Sequence, residues 1–95
     1  MTSDELFLTV HPEPQKQGVR IDKAKYDIVR DAILFNLQRH GALTFTQLGV
    51  LVDEQLRHNF IGSVMWYYTT VKLDMEARGE IRRASNSRPQ VVEIA

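Results

Sequence analysis

No cysteine occurs in the 95 residues, which rules out a disulfide framework, a thiolate metal site and a cysteine nucleophile. No charge of one sign dominates either: twelve Lys and Arg balance twelve Asp and Glu. Free-standing nucleic-acid binders usually carry a basic excess, because phosphate neutralisation supplies most of their affinity. The balance therefore counts against DNA binding while leaving room for a local basic patch. Long apolar runs are absent, and no segment approaches the ~18 residues of a membrane span. The start, Met1-Thr2-Ser3-Asp4-Glu5-Leu6, is acidic and lacks the basic residues and apolar stretch of a signal peptide. A cytoplasmic protein without a membrane partner is expected.

What is present is ordinary globular composition, 43% hydrophobic and 25% charged, without low-complexity tracts. The length suits one compact unit. Leu6-Phe7-Leu8-Thr9-Val10 is rich in strand formers, and His11 to Gly18 holds two prolines and a glycine, so it reads as turn or loop. Val19-Arg20-Ile21 can run back beside the first strand. Residues 1–21 thus read as an extended arm or a β-hairpin ahead of a unit spanning 22–95.

Asp22 is a good N-cap for a first helix that ends at His40-Gly41. Tyr26, Val29, Ile33 and Leu37 recur at spacings of three and four, and Ile28, Ala32 and Phe35 widen the apolar side. After Ala42-Leu43-Thr44, the run Thr44-Phe45-Thr46-Gln47 has capping-box spacing. The second helix turns Phe45, Leu48, Leu51, Val52 and Leu56 inward and fades at Arg57-His58-Asn59. Ser63 caps a third helix from about Val64 to Arg78, stopped by Gly79, with Val64, Tyr68, Val71 and Met75 as its inner stripe. Glu80 to Arg83 and Pro89 to Ile94 are strand-like and flank the turn composition Ala84-Ser85-Asn86-Ser87.

The predicted fold class is α+β: a three-helix, winged-helix-like unit with a C-terminal β-hairpin wing and an N-terminal β arm. Met75-Glu76-Ala77-Arg78-Gly79-Glu80-Ile81-Arg82-Arg83 resembles the junction where the third helix of winged helix-turn-helix proteins runs through a glycine into the wing. The resemblance covers residues 22–95 as a pattern and names no single family. More narrowly, the chain resembles a group of small uncharacterised bacterial proteins, on His11-Pro12, Val19 through Tyr26, and Trp66 through Gly79. That likeness implies no activity.

Little points to catalysis. His11, His40 and His58 lie far apart and form no metal-ligand spacing, and Asp53-Glu54 and Asp22, Asp27 and Asp31 read as solvated helix carboxylates. Ser63 lacks a nucleophile-elbow context. No catalytic residue, metal, cofactor or small-molecule site is expected, and the chain is not expected to be an enzyme.

Two binding surfaces are candidates. At 100° per residue, Trp66, Thr70, Leu73 and Ala77 line up nearly opposite the inner stripe of the third helix. A helix apolar on two sides is usually covered on two sides. Either the arm folds over this row or a second subunit does, and the row reads as a protein interface. The rival surface is basic: Lys72, Arg78, Arg82, Arg83 and Arg88, with Asn86 at the tip of the wing, form the best nucleic-acid footprint in the chain. The bland alternative is that these arginines solvate an edge strand and discourage its pairing. A protein partner or homodimer is favoured, with DNA binding by a transcriptional-regulator-like domain as the alternative.

Overall fold

The structure is a computed structural model, and it describes residues 5–84 and 89–95. A short antiparallel hairpin comes first, β1 (Leu6–Leu8) against β2 (Arg20–Asp22), in the register Phe7↔Ile21. Thr9 closes it beyond the strands. Its N–H donates to Val19 O at 2.9 Å, its hydroxyl donates to the same oxygen, and that hydroxyl accepts from Val19 N–H. Gly18 is required here, because a Cβ at that position would lie 1.6 Å from Thr9 O.

Asp22 ends the hairpin and caps α1 (Lys23–His40), its carboxylate accepting from the N–H groups of Ala24 and Lys25. The two-residue strand β3 (Leu43–Thr44) leads straight into α2 (Phe45–Leu56) through the full capping box. Thr44 Oγ1 accepts from Gln47 N–H, and Gln47 Oε1 accepts from Thr44 N–H, both at 3.0 Å. Ser63 caps α3 (Val64–Ala77) by accepting from Trp66 N–H. Gly79, at φ 78°, lets the chain leave α3 and enter β4 (Ile81–Arg83), which pairs with β5 (Val91–Ile94).

The second sheet has the order β3-β5-β4, all antiparallel. The fold is therefore α+β, with three helices, an N-terminal hairpin and a C-terminal three-stranded sheet, in the winged-helix-like order expected. The core joins Val29, Ile33 and Leu37 of α1, Leu48 and Val52 of α2, and Tyr68, Val71 and Met75 of α3 to Ile81 and Val92 of the sheet. Each such side chain contributes roughly 1.5–3 kcal/mol by leaving water. Gly49 lets α2 approach α3 closely, since a Cβ there would meet Tyr68 Cε2 at 2.9 Å.

The stripe Tyr26, Val29, Ile33 and Leu37 is buried as expected, and so is Ala32. Ile28 and Phe35 are not part of the core: both are about half exposed, because α1 packs on one side only. Leu51 is half-buried.

Candidate functional site

The last turn of α3 is tied to the arm by a hydrogen-bonded hub. Asp74 is completely buried, yet its carboxylate accepts from three groups drawn from three parts of the chain. Val10 N–H donates to Oδ1 at 2.8 Å, the Tyr26 hydroxyl of α1 donates to Oδ2, and Arg78 Nε donates to both oxygens at 3.0 Å. Arg78 also donates to Leu8 O and lies over the Phe7 ring, 4.9 Å from its centroid. Phe7 in turn packs on Tyr26 with ring centroids 4.2 Å apart. Burial raises the Tyr26 phenol far above its ordinary value, and the hydrogen bond to Asp74 adds to that. Asp74 and Arg78 thus each take one main-chain group of the arm, the Val10 N–H just past β1 and the Leu8 carbonyl at the end of the strand.

This clasp decides what covers the apolar row on α3. Thr70 and Leu73 are half-buried and share a small cavity of about 110 Å³ with Val10, Gly18 and Val19 of the arm. Ala77, beyond them, is exposed. Trp66 also stays outside the arm, 48% exposed, beside Met65 at 44% and after Ile61 at 82% in the turn entering α3. The arm therefore covers the centre of the expected row and leaves its indole end open.

That open end is held firmly from behind. The Trp66 ring meets Tyr67 edge-on at 5.1 Å, and Tyr67 meets Phe60 edge-on at 5.2 Å. Lys25 of α1 donates to Ile61 O and lies over both the Phe60 and Tyr67 rings. Next to it, Phe45, Gly49 and Val50 of α2, with Met65, line an open hollow of about 230 Å³. Thr46, Asp53 and Arg57 complete the lining of this hollow, and the half-exposed Trp66 follows its Met65 in the chain.

The basic candidates are arranged differently. Lys72 is only 2% exposed: its ammonium donates to Gln90 Oε1 at 2.5 Å, pairs with Glu76 at 3.2 Å and sits over the Phe45 ring. Burial lowers its pKa, against the opposing pull of Glu76. An ammonium so placed does not reach a phosphate, so the footprint read from the sequence loses this member. Arg78 belongs to the Asp74 clasp. Arg82 pairs with its cross-strand neighbour Glu93 at 2.7 Å, and Arg83 with Glu76 at 3.6 Å. Asn86 and Arg88 lie outside the described residues. Each described wing arginine thus already faces a carboxylate.

Among the described residues, no group of three His, Asp or Glu gathers as a metal site would require. Among them, too, no helix is long and apolar enough to cross a membrane.

Residues 7–92 match the family described as a family of unknown function, DUF6958. The chain belongs to that family. No curated protein and no solved structure matches the chain. Membership agrees with the likeness to small uncharacterised proteins and leaves the winged-helix relationship resting on element order alone. The sequence does not reveal Asp74 as the hub: a single aspartate in a helix, three residues before the last inner-stripe turn ends, carries no signal until Val10 and Tyr26 are brought beside it.

Proposed function

We propose that this protein is a non-enzymatic protein-interaction or self-association module on a winged helix-turn-helix scaffold. Its working surface is the α2–α3 end centred on Trp66. The observation that carries the reading is the half-exposed indole, braced by Tyr67 and Phe60 and flanked by Met65 and Ile61. Aromatic anchors of this kind, held rigid before binding, lose little entropy when a partner arrives.

The helix order and the β3-β5-β4 strand order support the winged-helix assignment. The pairing of Arg78, Arg82 and Arg83 with carboxylates, together with zero net charge, supports protein over DNA as the partner. The arm adds to this, since residues beside Leu73 stand where a major-groove helix would need clearance.

The test places a photoreactive benzoylphenylalanine at position 66, with the exposed Glu54 as control position, in the full chain expressed in its host. A discrete protein adduct from position 66, absent from position 54 and lost when Met65→Ser and Ile61→Ser are added, supports the module. An adduct of twice the chain's mass identifies self-association. No adduct from position 66, with retardation of duplex DNA at low salt that Arg82→Ala and Arg83→Ala abolish, overturns it in favour of a DNA-binding domain.

A further inference from the structure

Val50, half exposed at the middle of α2, is a ridge between two hollows, and Thr46 borders both. The larger hollow, of about 370 Å³, is otherwise lined by Leu43, Gln47 and Leu51, and no charged side chain borders it. The smaller is the one that Gly49 and Met65 line. A ridge with a hollow on each side is complementary to itself. Two copies crossing at Val50 seat each ridge in a hollow of the other.

The charges of α2 point to the same occupant. A lone helix is stabilised by acids in its first turn and bases in its last. The first turn of α2 holds no acid, and the last holds no base but two acids, Asp53 and Glu54. Asp53 is held by Arg57 at 2.8 Å. Glu54 is exposed and, among the described residues, has no ion-pair partner. At the other end, Gln47 commits its Oε1 to the Thr44 N–H, which leaves its amide NH₂ free to donate outward.

A donor on the positive helix end thus lies three residues before Val50, and an acceptor on the negative end lies four residues after it. A two-fold axis at Val50 runs two such helices antiparallel. Gln47 and the α2 N-terminus of each copy then face Glu54 of the other, and the helix dipoles oppose. With zero net charge, the copies have no long-range repulsion to overcome. Two faces of this size bury on the order of 1,000 Å² in total, which suits a dimer that forms and parts reversibly.

We propose that the α2 face centred on Val50 is a homodimer interface, crossed by a second copy of this chain on a two-fold axis. The contact is centred on α2 and not on Trp66, so it stands or falls apart from the surface proposed above.

The chain lacks cysteine, so Val50→Cys in the full chain places its single thiol on the axis. A disulfide needs Cα atoms about 4.4–6.8 Å apart, which identical positions of two copies reach only beside a two-fold axis. Under mild oxidation Val50→Cys should dimerise about tenfold faster than Ile28→Cys, which sets a similarly exposed thiol on α1. Sedimentation equilibrium of the unaltered chain from about 10 µM to about 1 mM should show a reversible monomer–dimer equilibrium. Glu54→Lys and Gln47→Glu should each weaken it by roughly 5-fold or more. Together they should restore it, since the new acid and the new base then face each other. Gln47→Glu keeps the capping box and both positions are exposed, so neither change threatens the fold. A chain monomeric throughout, equal oxidation rates at positions 28 and 50, or a double variant no better than the singles overturns the proposal. A different protein captured from position 66 by a monomeric chain also overturns it, and leaves the Trp66 surface standing. In that crosslinking, a second copy caught from position 54 supports this contact.

Discussion

Replacing Asp74 with alanine removes the acceptor of three donors at once. The Tyr26 hydroxyl is sealed from water and loses its partner outright, at a cost of about 1–3 kcal/mol for an unsatisfied buried donor. Val10 N–H is only partly buried and Arg78 is partly exposed, so both can recover some hydration, and each adds at most about 1 kcal/mol. The expected loss is about 1–5 kcal/mol out of a typical total of about 5–15. In a domain of this length each kcal/mol lowers Tm by about 4–8 °C. Urea denaturation followed by circular dichroism gives the free energy, and amide exchange at Thr9 and Val10 reports whether the arm has come away. Tyr26→Phe supplies the second edge of a double-mutant cycle, with a coupling of about 1–2 kcal/mol expected between the two sites. A loss below about 0.5 kcal/mol for Asp74→Ala, or strictly additive single and double variants, would refute the account of Asp74 as a hub.

Trp66→Ala should change stability by less than about 1 kcal/mol, because half the indole is already in water, and calorimetry checks this. Lys72→Ala should cost about 2–4 kcal/mol by leaving Glu76 poorly compensated, whereas Arg82→Ala, which breaks an exposed pair, should cost no more than about 0.5; parallel urea melts compare them. Gly18→Ala should release the hairpin, since its Cβ collides with the Thr9 main chain, and Thr9 amide exchange should accelerate at least tenfold (about 1.4 kcal/mol). Tyr26 and Tyr68 both have raised pKa values from burial, so their stabilising effect is intact below about pH 10 and is lost as pH rises beyond it. Thermal melts between pH 9 and 11 should show a decline of up to about 2.7 kcal/mol per unit, lessened by Tyr26→Phe. Lys72 acts in the opposite sense: its pKa is lowered, so stability gains between that value and the ordinary lysine range.

Much of the architecture is legible in the sequence because it is local. Asp22, Thr44 and Ser63 announce helix starts through side chains that cap the next few residues, and Gly79 marks a stop. The 100° periodicity also places Trp66 outside. The same periodicity misplaces Ile28 and Phe35, since it reports apolar character and not which side of α1 has a neighbour. Lys72 reads as a solvent-facing cation because sequence patterns assign charge to the surface, yet its stem lies in the core and its head finds Gln90 and Glu76. The clasp is invisible for a different reason: Asp74 meets Tyr26 across 48 positions and Val10 across 64, and no local rule brings such residues together.

The fastening of the first strand to the third helix also sets an order of events during synthesis. Leu8 and Val10 leave the ribosome well before Asp74 and Arg78, and at about 5–20 residues per second the delay is several seconds. Until the last helix emerges, the leading strand has neither its acceptor nor its cation, and the Phe7 ring lacks the Arg78 guanidinium that lies over it in the finished fold. Newborn copies, more than finished ones, are therefore the form most open to chaperone capture or mispairing.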